Sequence, residues 1–126
     1  MYQYFNAHPK NLKVGDCVKR ALTIATGEDY MEIQRQLNKI KKEIGAKSYS
    51  DNCVWKKFIQ DKKWKELSFP AVKGEDRMNG ESFCKKFKNG TYILRMAHHL
   101  TVCKGGTIYD TWDCSRKCVY KAWIIE

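Results

Sequence analysis

Apolar residues recur at steps of three and four through the first half of the chain and mostly at steps of two near its end. Val18, Ala21, Leu22 and Ala25 share one helical face, Asp16 stands at the N-cap position, and Gly27 follows the run. The spacing predicts a helix over 16–26 with one face buried and Cys17 at its first helical position. Tyr30, Ile33, Leu37, Ile40 and Ile44 form a second stripe, predicting a helix over 28–44. Glu28 and Asp29 open that segment, Lys41 and Lys42 close it, and Gly45 follows, an order the helix dipole favours. A third helix is expected over 52–60, with Val54, Trp55, Phe58 and Ile59 turned inward.

The intervening stretches carry breakers. Residues 1–15 read as irregular, with Tyr2, Tyr4 and Phe5 packed onto the body and His8-Pro9 extended. Residues 64–69 read as a short strand stopped by Pro70, 71–80 as a linker, 81–88 as a short amphipathic helix carrying Phe83 and Phe87, and Asn89-Gly90 as a turn. Four segments, 91–96, 98–103, 107–112 and 119–125, are rich in β-branched and aromatic residues and predict antiparallel strands. Gly105-Gly106 predicts a tight hairpin. Helices followed by strands is an α+β order, and 126 residues suit one domain over 1–126.

Composition adds a charge. The 24 Lys+Arg against 14 Asp+Glu give a formal net charge of +10, which attracts nucleic acid, acidic protein surfaces or anionic lipid. The lysines alternate with apolar residues on predicted helices, so they also read as solvated helix faces. No apolar run approaches the ~20 residues of a membrane helix. The first residues lack a charged segment followed by an apolar core, so a cytoplasmic setting with reduced thiols is expected. Six cysteines occur, and Cys114 and Cys118 alone have zinc half-site spacing. With no second pair, and with His8, His98 and His99 the histidines, a zinc site is not expected.

Two constellations carry candidate chemistry. A thiol at a helix N-terminus, as predicted for Cys17, feels the positive end of the dipole, which favours the nucleophilic thiolate. Its competing reading is a small apolar residue that packs. With the hairpin turn at Gly105-Gly106, Cys103 lies opposite Ile108, Thr101 opposite Asp110, and His99 opposite Trp112. His99, Thr101, Ile108, Asp110 and Trp112 then share one face, and His99 and Asp110 are diagonal neighbours. A Cys nucleophile needs a His to share its proton and a polar group to orient the imidazole. His99 and Asp110 fit those roles, with Trp112 covering the contact. His98, facing Asp113, is the rival base.

These residues resemble a papain-like cysteine peptidase in minimal form. The order Cys17, His99, Asp110 matches the family's Cys, His and Asn or Asp. Asp110-Thr111-Trp112 resembles its Asn-Ser-Trp, and Asn11, six residues before Cys17, stands where the family usually has Gln. The short Asp-Cys-helix opening and His-hairpin-Asp ending also resemble small phage and bacterial members. The likeness covers the two ends of the chain, and 28–90 contribute nothing to it. Gly15-Asp16-Cys17-Val18 lacks the family's Cys-Gly-Ser-Cys-Trp string.

The resemblance implies N-terminal helices, with the nucleophile at a helix start, packed on a C-terminal antiparallel sheet. It implies a triad of Cys17, His99 and Asp110, an oxyanion hole from Asn11 and the Cys17 backbone N–H, and no metal or cofactor. The substrate would be a peptide or another amide, with acyl transfer to an amine as a further option. The alternative is an inactive binding module on the same fold whose basic surface meets an acidic protein or nucleic acid.

Overall fold

The computed structural model describes residues 1–125. In chain order the elements are β1 (Tyr2–Tyr4), α1 (Cys17–Thr26), α2 (Tyr30–Ile44), α3 (Asn52–Lys62), β2 (Lys65–Ser68), α4 (Gly80–Lys86), β3 (Thr91–Met96), β4 (His99–Lys104), β5 (Thr107–Asp110) and β6 (Lys121–Ile125). They form an α+β fold around one six-stranded sheet of order β1-β5-β4-β3-β6-β2.

The Gly105-Gly106 turn sets the register of the sheet's centre. Both glycines have left-handed φ, 59° and 78°, as a two-residue hairpin turn requires. Lys104 therefore pairs with Thr107, and Cys103 with Ile108. Side chains alternate from there. Ile93, Leu100, Val102 and Trp123 face Leu22, Ile33, Leu37, Val54 and Trp55 of the first three helices. Tyr92, Leu94, Met96, Cys103 and Ile108 face Phe83 and Cys84 of α4 together with Cys114 and Val119. The sheet is thus covered on both sides.

Several expectations change. The first residues are not all irregular: β1 pairs in parallel with β5, and the Ile108 N–H donates to the Met1 carbonyl at 2.9 Å. Three residues are too few to display a period of two, and their partner lies at the far end of the sequence. The sheet is therefore mixed rather than antiparallel. It is not confined to the C-terminal part either, because β2 joins its other edge beside β6. β5 ends at Asp110, with Val102 and Tyr109 the last pair of the hairpin ladder, so Trp112 lies beyond the strand. Ala97 and His98 turn the chain between β3 and β4, His98 with φ 53°.

Helix α1 also differs from an amphipathic surface helix. It begins at Cys17, yet the Asp16 side chain makes no capping hydrogen bond. Val18 to Leu22 are all buried, Lys19 and Arg20 included, because α1 lies between the sheet and α2. The Lys19 ammonium donates to Gln34 Oε1 at 2.7 Å and sits 3.9 Å from the Tyr49 ring centroid. Helix α2 starts at Tyr30, where the Asp29 carboxylate accepts from the Met31 N–H at 3.0 Å. The lysines of α3 and α4 are exposed. No helix among the described residues is long and apolar enough to cross a membrane.

Candidate active site

His99 opens β4 and Asp110 closes β5, so the hairpin register brings them to the same end of the ladder. His99 Nε2 lies 2.7 Å from Asp110 Oδ2, with both side chains more than nine-tenths buried. The other Asp110 oxygen accepts from the Thr111 N–H at 2.7 Å and from Arg20 Nη2 at 3.5 Å. The Cys114 thiol donates to Oδ2 at 3.6 Å. Burial works against ionisation of this carboxyl, but the hydrogen bond and charge of His99, with hydrogen bonds from neighbours including the Thr111 amide, together outweigh it and hold the group below the usual aspartate value. The Trp112 ring covers the imidazole, its centroid 4.9 Å away.

With Nε2 taken by Asp110, Nδ1 is the ring nitrogen left to serve the Cys17 thiol, which lines the same cavity as His99. Burial opposes charge on the imidazole. The Asp110 carboxylate and the Cys114 and Cys17 sulfurs overcome it and push His99 up to about 11. Burial likewise disfavours a Cys17 thiolate, yet His99, the Leu100 backbone amide and the charge of Arg20 together bring the thiol below its ordinary value. Both shifts favour an imidazolium beside a thiolate.

A further layer lies beneath this pair. Arg20, one turn into α1, forms an ion pair with Asp16 through Nη1 and reaches Asp110 through Nη2. The Tyr30 hydroxyl donates to the other Asp16 oxygen at 2.7 Å. This explains why Asp16 does not cap α1. Buried charges must be paired, and an arginine fork is well suited to two carboxylates.

The cavity beside the thiol has a volume of about 380 Å3, within the ~300–1,000 Å3 common for small-molecule sites. Cys17, His98 and His99 stand on one side. Ser50 from the turn before α3, Asn52 and Trp55 from the start of α3, and Arg95 of β3 complete its polar lining. Asn52 Oδ1 accepts from the Trp55 indole N–H at 3.2 Å, which fixes the amide and leaves its NH2 as a donor.

The remaining sequence candidates separate. His98 lines the cavity but is exposed, and the Asp113 carboxylate accepts instead from the Ser115 N–H at 3.0 Å. Asn11 does not line the cavity. It sits exposed with left-handed φ 54°, in a turn held by Asn11 N–H donating to the His8 carbonyl and by Asn6 bonding His8 and Leu12. A six-residue offset in sequence does not determine the path of that loop.

Cys114 and Cys118 are both free thiols. Cys114 joins His99 and Asp110, the three donor atoms lying within 4.8 Å of one another. They are chemically able to hold a metal ion. Their 2.7 Å His–Asp contact is a hydrogen bond, however, whereas two ligands ~2 Å from a tetrahedral zinc stand roughly 3.3 Å apart.

The sequence does not point to Arg20, Asn52 or Arg95 as site residues, and it offers Cys114 only a zinc half-site spacing with Cys118. Arg20 has one local signal, its i,i+4 spacing from Asp16; Asn52 and Arg95 have none. Comparison of the chain with protein-family models, curated proteins and solved structures finds no match.

Proposed function

We propose that this chain is a thiol hydrolase of papain-like type acting on an amide bond, with Cys17 as nucleophile, His99 as acid and base, and Asp110 as the group that orients and charges His99. The observation that carries the reading is the buried 2.7 Å His99–Asp110 contact beside a thiol at the first position of a helix. The Cys17 thiolate attacks the carbonyl carbon, forming a C–S bond. His99 gives its proton to the leaving amine as the C–N bond breaks. A water that loses its proton to His99 then attacks the thioester, releasing acid and restoring the thiolate.

The oxyanion needs preorganised donors. The Cys17 N–H belongs to the first turn of α1 and has no partner within the helix. The Asn52 amide that lines the cavity supplies the second donor, the role the resemblance assigned to Asn11. Losing one such donor costs ~3 kcal/mol of transition-state stabilisation.

The test is iodoacetamide alkylation of all six cysteines as a function of pH, read by peptide mass spectrometry. Cys17 should react well below the ~8.5 at which a free thiol titrates, and His99→Ala should remove that advantage. Equal reactivity of Cys17 and exposed Cys53 across the range overturns the proposal.

A further inference from the structure

The cavity beside Cys17 is lined by an arginine without a counter-ion. None of the residues lining it is Asp or Glu. Arg95 makes no side-chain hydrogen bond and no ion pair among the described residues, whereas the buried Arg20 is bonded on both Nη atoms. Arg95 is half-buried, and its guanidinium lies 5.4 Å from the Trp55 ring centroid, inside the ~6 Å reach of a cation–π contact. Trp55 is itself fully packed and anchored to Asn52. The guanidinium is therefore held in place while its donors stay free. A planar fork of this kind binds a carboxylate through two parallel hydrogen bonds.

We infer that Arg95 is a specificity-determining residue, and that the cavity takes an acyl substrate carrying a carboxylate close to the bond that Cys17 attacks. This rests on the reading of Cys17 as nucleophile and adds to it the class of molecule accepted. Ser50, in the turn before α3, and Asn52 supply neutral hydrogen-bonding groups to the same ligand. The carboxylate comes either from a chain terminus or from an acidic side chain, and Arg95 reads both through the same two oxygens.

Two small electrophiles of similar shape separate the two ideas. Iodoacetate carries a carboxylate and iodoacetamide does not, and both alkylate a thiolate. Their rate ratio at Cys17 is measured in the native protein, in Arg95→Gln, in Arg95→Lys, and in Lys121→Gln as a control for the general basic field. The iodoacetate rate should fall about five- to tenfold in Arg95→Gln, as expected for loss of one partly screened charge at close range. The iodoacetamide rate should stay within about twofold, Arg95→Lys should restore part of the preference, and Lys121→Gln should keep the native ratio. An unchanged ratio in Arg95→Gln, with Cys17 still reactive to iodoacetamide, overturns the inference and leaves the nucleophile standing.

A binding measurement covers the case of an inert thiol. The Trp55 indole N–H is followed by NMR during titration with N-acetylglutamine, which has a terminal carboxylate, and with N-acetylglutamate α-amide, which has a side-chain carboxylate. A saturable shift with either, lost in a folded Arg95→Gln variant, supports the inference and identifies the source of the carboxylate. No shift with either overturns it.

Discussion

Replacing Asp110 by Asn keeps the shape of the side chain and removes its charge, so it isolates what the carboxylate does for His99. The contact is 2.7 Å long and buried on both sides, so solvent screens it little. An opposite charge this close moves a neighbouring pKa by ~1–3, or ~1.4–4 kcal/mol of preference for the imidazolium. The ring nitrogens are followed by NMR on labelled protein. In the native chain His99 should remain an imidazolium through neutral pH, since its value stands near 11, and in Asp110→Asn it should titrate at lower pH. The same pair links charge to stability. His99 is raised from 6.5 to about 11, so its contribution is complete below 6.5 and drains away as pH rises toward 11. Asp110 is lowered from 3.8, so its contribution is present above 3.8 and is lost as pH falls below it. The stability gap between native protein and Asp110→Asn should therefore be widest between 3.8 and 6.5 and close on both sides. Urea denaturation across the range measures it. A neutral His99 at pH 7 in the native chain, or a gap that widens toward alkali, refutes the reasoning.

Arg20→Met leaves the Asp16 and Asp110 carboxylates buried without their shared cation, and should cost ~3–5 kcal/mol in urea denaturation; a loss below about 1 kcal/mol would show that the two acids are relieved by other means. At Gly80 an added Cβ would lie 2.8 Å from Ile108 Cδ1 and 3.0 Å from Ser115 Cα. Gly80→Ala should therefore cost ~1–3 kcal/mol by overpacking, and an unchanged melting temperature would contradict that. The Cys84 and Cys103 sulfurs are 3.2 Å apart, and Cys84 lines a surface cavity. A small disulfide reagent should join these two by exchange, with their protons leaving on two equivalents of reagent thiol and the protein losing about 2 Da. Peptide mapping that finds another pair linked first counts against it.

The parts of the site that local geometry controls were legible in the sequence. Two adjacent glycines fix a hairpin register, and that register alone places His99 diagonal to Asp110. The helix start at Cys17 was also legible, although for the wrong reason. A carboxylate before an apolar run usually caps, but a buried arginine and a tyrosine hydroxyl compete for Asp16 and win. Lys19 and Arg20 fall outside the apolar stripe of Val18, Ala21, Leu22 and Ala25. Their burial follows from what packs around α1, and no periodicity within α1 reports that. Arg20 meets Asp110 across 90 residues of chain, and the cavity forms where the starts of α1 and α3 meet the β3–β4 turn. Asn52 and Arg95 become neighbours of the thiol only through that meeting, just as Asn11 is excluded from it by the fold of its own loop.

The buried layer also explains why the imidazolium is favoured so strongly. Asp16 and Asp110 bring two negative charges into the interior, and Arg20 is the one lysine or arginine in direct contact with them, the buried Lys19 ammonium being bonded to Gln34 instead. A low-dielectric interior penalises the uncompensated charge, and protonating His99 is the compensation nearest to hand. The four groups in direct contact, Asp16, Arg20, Asp110 and His99, balance only with His99 charged. A surface His–Asp pair has no such constraint, because water supplies the balance. Here the cation facing Cys17 is favoured by the charge balance of that contacting set, so the interactions that hold α1 against the sheet are the same ones that prepare the thiol to ionise.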